Sequence, residues 1–276
     1  MGLGELEILT IYGALAVLLF WVLRRPRPAA VAHWAASYAV AVTDANREDL
    51  TAYLTRAQRC RRLGFAAGYV VGAVVATRNE LSVLPVASVS VGLGYSAGIV
   101  AAEVASRRAP SGAALLAPRD LGQYLPAKLV WIPRALVLAI IVVALLALGT
   151  PLGVGAVVVS DTQVAALAAC SVGALVVAEL LQRAVVRRRQ PVADRDRLAA
   201  DDAMRAQSVH AIAGALIIVD GSLFVPLLYR LGTPGTSNGV ADLAMVVVPA
   251  VAWLAGIWYQ NRAWRVRRRY PVATPA

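Results

Sequence analysis

The chain has 276 residues, 59% of them hydrophobic, a mean hydropathy of +0.65 and a formal net charge of +11. Soluble domains hold roughly 45–50% apolar residues, so this composition excludes a water-soluble globule and points to an integral membrane protein. In a soluble chain the basic excess would suggest nucleic acid; at the ends of membrane spans each basic residue instead gains about 1 kcal/mol from anionic headgroups, and no nucleic-acid partner is implied.

With about 20 apolar residues needed to cross a 30 Å hydrocarbon core, the chain reads as one all-α, polytopic transmembrane domain over 1–276 with about seven spans. The first span is 8–23, closed by Arg24, Arg25 and Arg27. Glu5 and Glu7 stand where a signal peptide needs basic residues, and no small-residue cleavage site follows, so this segment is expected to stay as a span. The second, 63–77, is short, and Arg59, Arg61 and Arg62 can snorkel at its inner end. Arg78, Asn79 and Glu80 turn the chain tightly into the third span, 81–105, which ends before Arg107 and Arg108.

The fourth span, 135–149, leads into an external segment closing at Ser160 and Asp161, and the fifth, 163–181, ends on Arg183, Arg187, Arg188 and Arg189. The sixth is 209–229. A turn-rich external loop, 233–239, connects it to the seventh, 243–259, which is followed by a tail with Arg262, Arg265, Arg267, Arg268 and Arg269. On this layout every lysine and arginine except Arg78 and Arg230 falls on one side. The positive-inside rule then puts the C-terminus in the cytoplasm and the N-terminus outside. A single lysine, Lys128, among so many arginines, with spans rich in Ala and Val, indicates a GC-rich bacterial genome and hence a bacterial cytoplasmic (inner) membrane.

The cytoplasmic stretches carry helical patterns of their own. His33, Trp34, Ser37 and Tyr38 mark a short interfacial helix within 29–42, and Leu50, Tyr53, Leu54 and Ala57 recur at i, i+3, i+4, i+7 on a helix running into span two. Leu121, Tyr124, Leu125 and Leu129 are similarly spaced. In 194–208, Asp201 stands four residues from both Arg197 and Arg205, the pattern of a solvated helix feeding span six. Such amphipathic segments either lie on the bilayer or dock a cytoplasmic protein, an ATPase or a regulator.

Asp220 is the sharpest single signal. It sits near the midpoint of span six, with Ser222 beside it and Pro226 beyond, where an aspartate costs about 2.5–3.5 kcal/mol on insertion scales. It therefore needs a cavity or a polar partner. One reading makes Asp220 and Ser222 a proton, cation or substrate site; the other makes Asp220 a structural acid bonded to a neighbouring helix. Glu103 and Glu179 each precede an arginine by four residues, Arg107 and Arg183, and read as ion-paired helix ends. The runs ending on these two acids, from Ser96 and from Ser171, resemble one another as a weak parallel repeat.

Gly64, Gly68 and Gly72 form consecutive G-x-x-x-G units on span two, and Ser90, Gly94, Gly98 and Ala102 keep the same spacing on span three. Small residues so placed let backbones approach closely. They give a packing seam between the two spans or the face of a homo-oligomer. No H-E-x-x-H, G-x-S-x-G or Walker glycine pattern occurs, so no catalytic residue is assigned. Nor is any cofactor or metal: His33 and His210 are isolated, Cys60 and Cys170 lie in dissimilar settings, and Lys128 falls outside the spans, where it cannot carry retinal.

The segment Asp201, Asp202, Ala203, Met204, Arg205, Ala206, Gln207, Ser208, Val209, His210, Ala211, Ile212, Ala213, Gly214 resembles one found in uncharacterised multi-pass proteins of actinobacterial membranes. The resemblance covers only the approach to span six; it implies a host class and no activity. From the residues themselves, the expected function is a small transporter-like or permease-like membrane component with a polar site at Asp220. The alternative is a non-transporting scaffold or regulator that recruits a cytoplasmic partner through its basic loops.

Overall fold

Start and stop signals in the sequence set most of the helix ends. The computed structural model describes residues 28–78, 83–106, 114–115, 120–148, 160–188, 190–191, 195–231 and 239–261, among which there are seven α-helices. These are α1 (Pro28–Ser37), α2 (Arg47–Arg78), α3 (Val83–Ala105), α4 (Ala127–Ala147), α5 (Asp161–Arg187), α6 (Arg195–Leu231) and α7 (Gly239–Asn261). A two-residue pairing of Ala114–Leu115 with Gln190–Pro191 is the sole β structure described. The expected span at 8–23, the 232–238 loop and the basic tail lie outside the described residues.

The start of α5 is a capping box: Ser160 Oγ accepts from the Gln163 N–H, and Gln163 Oε1 accepts from the Ser160 N–H at 2.8 Å. Before α2, Asn46 does similar work, its carbonyl oxygen accepting from the Thr43 N–H at 3.0 Å and its amide donating to Ala41 O at 2.9 Å. Glu48 and Asp49 follow in the first turn, where negative charge suits the helix dipole. α1 ends with Ala39 in the left-handed region (φ 51°), and the Val40 N–H reaches back to Ala35 O at 2.8 Å, a Schellman closure made without glycine.

Three helices, Leu129–Ala147, Asp161–Arg187 and Arg195–Leu228, are long and apolar enough to cross a membrane, and Val89–Ala105 is a shorter apolar stretch. The distribution of side chains agrees. Leu138, Leu145 and Leu146 on α4, Val176 and Leu180 on α5, Val71 on α2 and Leu254 on α7 are all exposed. Apolar surface on that scale is stable only against lipid or a partner. α6 is the exception, buried along most of its length inside the ring of other helices.

The amphipathic segments turn their apolar faces onto the chain itself: those within 29–42 and 43–57 pack on α6, and within 195–208 Arg195 and Arg197 are exposed while Ala200, Ala203 and Arg205 are buried, so that segment is solvated only at its start. Val31, Ala35, Leu50, Tyr53 and Leu54 close onto Ala203, Ala206 and Val209 of α6 in one apolar cluster. Amphipathicity requires only that the apolar face be covered, and here the chain covers it itself. α6 is consequently continuous from Arg195, 37 residues long, or about 55 Å, and projects well beyond a 30 Å core. The 121–129 pattern is not one helix either. Leu121–Gln123 is a 3-10 turn, and Pro126, lacking an N–H, separates it from α4.

Glycine settles two close approaches. A Cβ added to Gly64 would overlap Gly94 O, one on Gly68 would overlap Ser90 O, and one on Gly98 would overlap Cys60 O, so α2 and α3 meet backbone to backbone. A second seam, between α6 and α7, uses Gly214 and Gly256: a Cβ at Gly214 would lie 2.6 Å from Gly256 O, and one at Gly256 2.7 Å from Gly214 O. Gly68→Leu is expected to lower stability in detergent by at least the 1–3 kcal/mol typical of overpacking, because backbone cannot yield as a side chain can. Val71→Leu, on the exposed face of the same helix, should be silent. Equal thermal midpoints for the two variants would show that the seam is not where stability resides.

Candidate functional site

α6 carries more buried polar side chains than any other described helix, among them Asp201, Arg205, Gln207, His210, Asp220 and Arg230. Asp220 is 0% exposed, and its Oδ1 accepts a 2.7 Å hydrogen bond from the Ser171 hydroxyl of α5. Its Oδ2 is buried with no hydrogen-bond partner among the described residues. Ser171 is in place because α5 and α6 run antiparallel in strict register. Eleven residues further along α5, Gln182 donates to Val209 O at 3.2 Å, eleven residues back along α6 from Asp220. Eleven residues make close to three turns, so both contacts lie on one seam.

The two residues paired in the sequence reading, Asp220 and Ser222, are not brought together. Ser222 donates to its own Ile218 O at 2.8 Å and lies against Gly92 of α3, while Asp220 turns to α5. Gly64, Gly68, Gly94 and Gly98 do converge, as described above, and Gly72 is buried on the same helix. Glu179 is ion-paired with Arg183 at 3.3 Å, as its spacing suggested, and also with Arg134 of α4 at 2.8 Å. Glu103 is buried, but Arg107 lies outside the described residues. The serines that open the weak repeat behave alike: Ser96 donates to Ala215 O of α6 at 3.1 Å, as Ser171 does to Asp220.

Two arginines of α6, Arg205 about three turns in and Arg230 near its C-terminus, each close a neighbouring helix. Arg205, 1% exposed, bonds Asp201 Oδ2 at 2.7 Å and donates to the carbonyls of Val185 (3.1 Å) and Arg188 (2.6 Å) at the C-terminus of α5. Arg188 in turn reaches Asp201 Oδ1 at 3.1 Å and Ser106 O, just past α3, at 3.0 Å. At the other end Arg230 donates to Ala147 O, the last residue of α4, at 2.9 Å, and pairs with Asp161 at the start of α5. From spacing alone Arg205 is a surface pair and Arg230 a topological exception, yet both are buried. Their burial leaves no local signal.

Gln207 joins α1 to α6. Its Oε1 accepts from Tyr38 Oη at 2.7 Å and Trp34 Nε1 at 3.3 Å, and its amide donates to Gln260 O of α7 at 3.1 Å. Burial raises the Tyr38 and Tyr53 phenols well above the ordinary tyrosine value, so both remain neutral. Tyr53 Oη lies 3.2 Å from the Ser208 hydroxyl. The two histidines face different surroundings: His33 is exposed, and His210 is fully buried, its ring edge-on to Tyr259. Among the described residues no three His, Cys, Asp or Glu side chains group as metal ligands.

No known protein family, curated protein or solved structure matches the chain.

The Arg205 network carries a quantitative expectation. Removing one member of a buried ion pair typically costs 3–5 kcal/mol, so Arg205→Ala should destabilise by about that amount. Arg205→Lys should recover only part of it, since an ammonium cannot fork between a carboxylate and two carbonyls. Unfolding in mixed detergent measures both; an Arg205→Ala loss below about 0.5 kcal/mol, the range of ordinary surface changes, would remove the network from any structural role.

Proposed function

We propose that the chain is a small permease-like component of a bacterial cytoplasmic membrane, with Asp220 as the proton- or cation-exchanging group at mid-membrane. The observation carrying this reading is the divided state of the carboxyl: Oδ1 held by Ser171, Oδ2 buried with no hydrogen-bond partner among the described residues. A purely structural acid gains most when both oxygens are satisfied, because a buried unpaired polar atom costs about 1–3 kcal/mol. Intramembrane acids that keep an open valence commonly belong to ion or proton pathways. The position fits too. Arg205 and Arg230 are 25 residues apart on α6, about 37 Å, and Asp220 falls near the middle of that length.

A second reading, a membrane scaffold or regulator without transport, draws on a different observation. α1 is locked to α6 through Gln207 and the start of α2 through the Tyr53–Ser208 contact, so a cytoplasmic protein seated on their outer, exposed face would act directly on the membrane helix. An ATPase or regulator is the partner that reading calls for.

Proteoliposomes with a trapped pH dye separate the two. Under an imposed pH gradient the wild type should dissipate protons faster than protein-free vesicles, and Asp220→Asn should reduce that excess at least tenfold while keeping the thermal midpoint of the wild type. Wild-type vesicles no leakier than empty ones would favour the scaffold.

We also propose seven spans with the N-terminus outside and the C-terminus cytoplasmic, supported by the one-sided arginines. In a Cys60→Ser/Cys170→Ser background, Asn238→Cys should react with an impermeant thiol reagent in intact cells, and Arg195→Cys should react only after lysis. The reverse pattern would invert the topology.

A further inference from the structure

Where α4, α5 and α6 meet near the level of Arg134 and Arg183, they leave a small, partly enclosed cleft. Its lining is divided. One rim is polar, with Arg134, Glu179, Gln182 and Arg183; the floor is apolar, with Leu175 and Leu216 among its residues. Glu179 is the single carboxylate shared by two guanidiniums. Arg134 Nε and Nη2 lie 2.9 and 2.8 Å from its Oε1, and Arg183 Nη2 lies 3.3 Å from its Oε2. The rim therefore keeps one net positive charge. Each guanidinium has five N–H donors, more than one carboxylate can occupy.

Depth and chemistry run together. Leu175 is four residues, about 6 Å, further into the membrane along α5 than Glu179, and the antiparallel register brings Leu216 of α6 to the same level. Trp131, 64% exposed, stands beside the mouth with the Arg134 guanidinium 5.3 Å from its ring centroid. Tryptophan at a span end marks the headgroup region. A cationic rim at headgroup depth above an apolar trough matches a molecule with a phosphate at one end and a hydrocarbon chain at the other. Basic pockets between transmembrane helices hold anionic headgroups in this way.

We infer that this cleft binds one anionic glycerophospholipid, its phosphate held by Arg134 and Arg183 and one acyl chain laid along Leu175 and Leu216. The lipid phosphate competes with Glu179 for the same donors, which gives the site a directional signature. Neutralising an arginine weakens binding; neutralising the glutamate strengthens it. The inference is independent of any transport role for Asp220, and none of its measurements reports on that residue.

The test uses the full chain purified in mild detergent, titrated with dioleoyl phosphatidylglycerol, with dioleoyl phosphatidylcholine and with inorganic phosphate. Native mass spectrometry and thermal midpoints provide the readout. Phosphatidylglycerol should be retained as a one-to-one adduct and raise the midpoint, whereas phosphatidylcholine at equal concentration should do neither. Arg134→Gln should weaken phosphatidylglycerol binding about fivefold and Glu179→Gln should tighten it about fivefold, the factor expected from one interfacial charge. If Arg134→Gln fails to fold, the sign of the Glu179→Gln change still decides. Equal retention of the two lipids, or weaker binding in Glu179→Gln, overturns the proposal. Displacement of the lipid by millimolar inorganic phosphate overturns it as well, because the site would then hold a free anion.

Discussion

An α-helix leaves its last four carbonyls without donors from its own backbone, and at a membrane boundary bulk water reaches them poorly. Arg205 and Arg230 meet this constraint for α5 and α4, and both belong to α6. Arginine suits the task because its planar fork can bond a carboxylate and carbonyls at once and keeps its charge in any surroundings. The spacing of the two residues is close to the thickness of a bilayer with its headgroup zone, so one continuous helix fixes where two others end. The burial of α6, the register of α5 against it and the position of Asp220 all follow from that arrangement.

Backbone geometry provides the remaining ties. Pro133 cannot donate to Leu129 O, the carbonyl one turn before it, and that oxygen accepts instead from Tyr259 Oη of α7 at 2.8 Å. A helix defect is thereby converted into a contact between helices. The glycine seams act by a different route, removing side chains so that two backbones come within van der Waals reach, where dispersion accumulates without any polar group. Lipid is as apolar as leucine, so contacts of these kinds rather than the hydrophobic effect hold such helices together.

Some of this was legible in the sequence, for reasons that differ by residue. Gly64, Gly68, Gly94 and Gly98 announce their seam because the four-residue spacing is local and recurs on both helices. Gly214 and Gly256 carry no such signal, since neither has a glycine four residues away on its own helix and the pairing exists only in space. Asp220 is singled out by its place in an apolar run; its partner is not, because a single serine on an apolar helix such as Ser171 carries no pattern. The helical segments around 29–42 and 43–57 were recognisable from periodicity, but periodicity says that a face is covered and not by what. For Arg205 the i, i+4 spacing to Asp201 was right and the inferred solvation wrong, since the carbonyls it serves come from another helix. No relative was available to supply what the pattern lacked, so function was legible only as far as one acid with an open oxygen.

The Ser171 to Asp220 contact bears on how the chain is made. Domains are built from the N-terminus onward, and α5 precedes α6 with only the short 188–194 segment between them. When Asp220 leaves the ribosome and enters the bilayer, the hydroxyl that receives it is already there, eleven residues along the seam from the contact that sets the register. Insertion as a hairpin thus removes the interval in which a bare acid would face hydrocarbon. Separating α5 from α6 in time, rather than in sequence, would restore the full cost of placing an aspartate in the middle of a membrane.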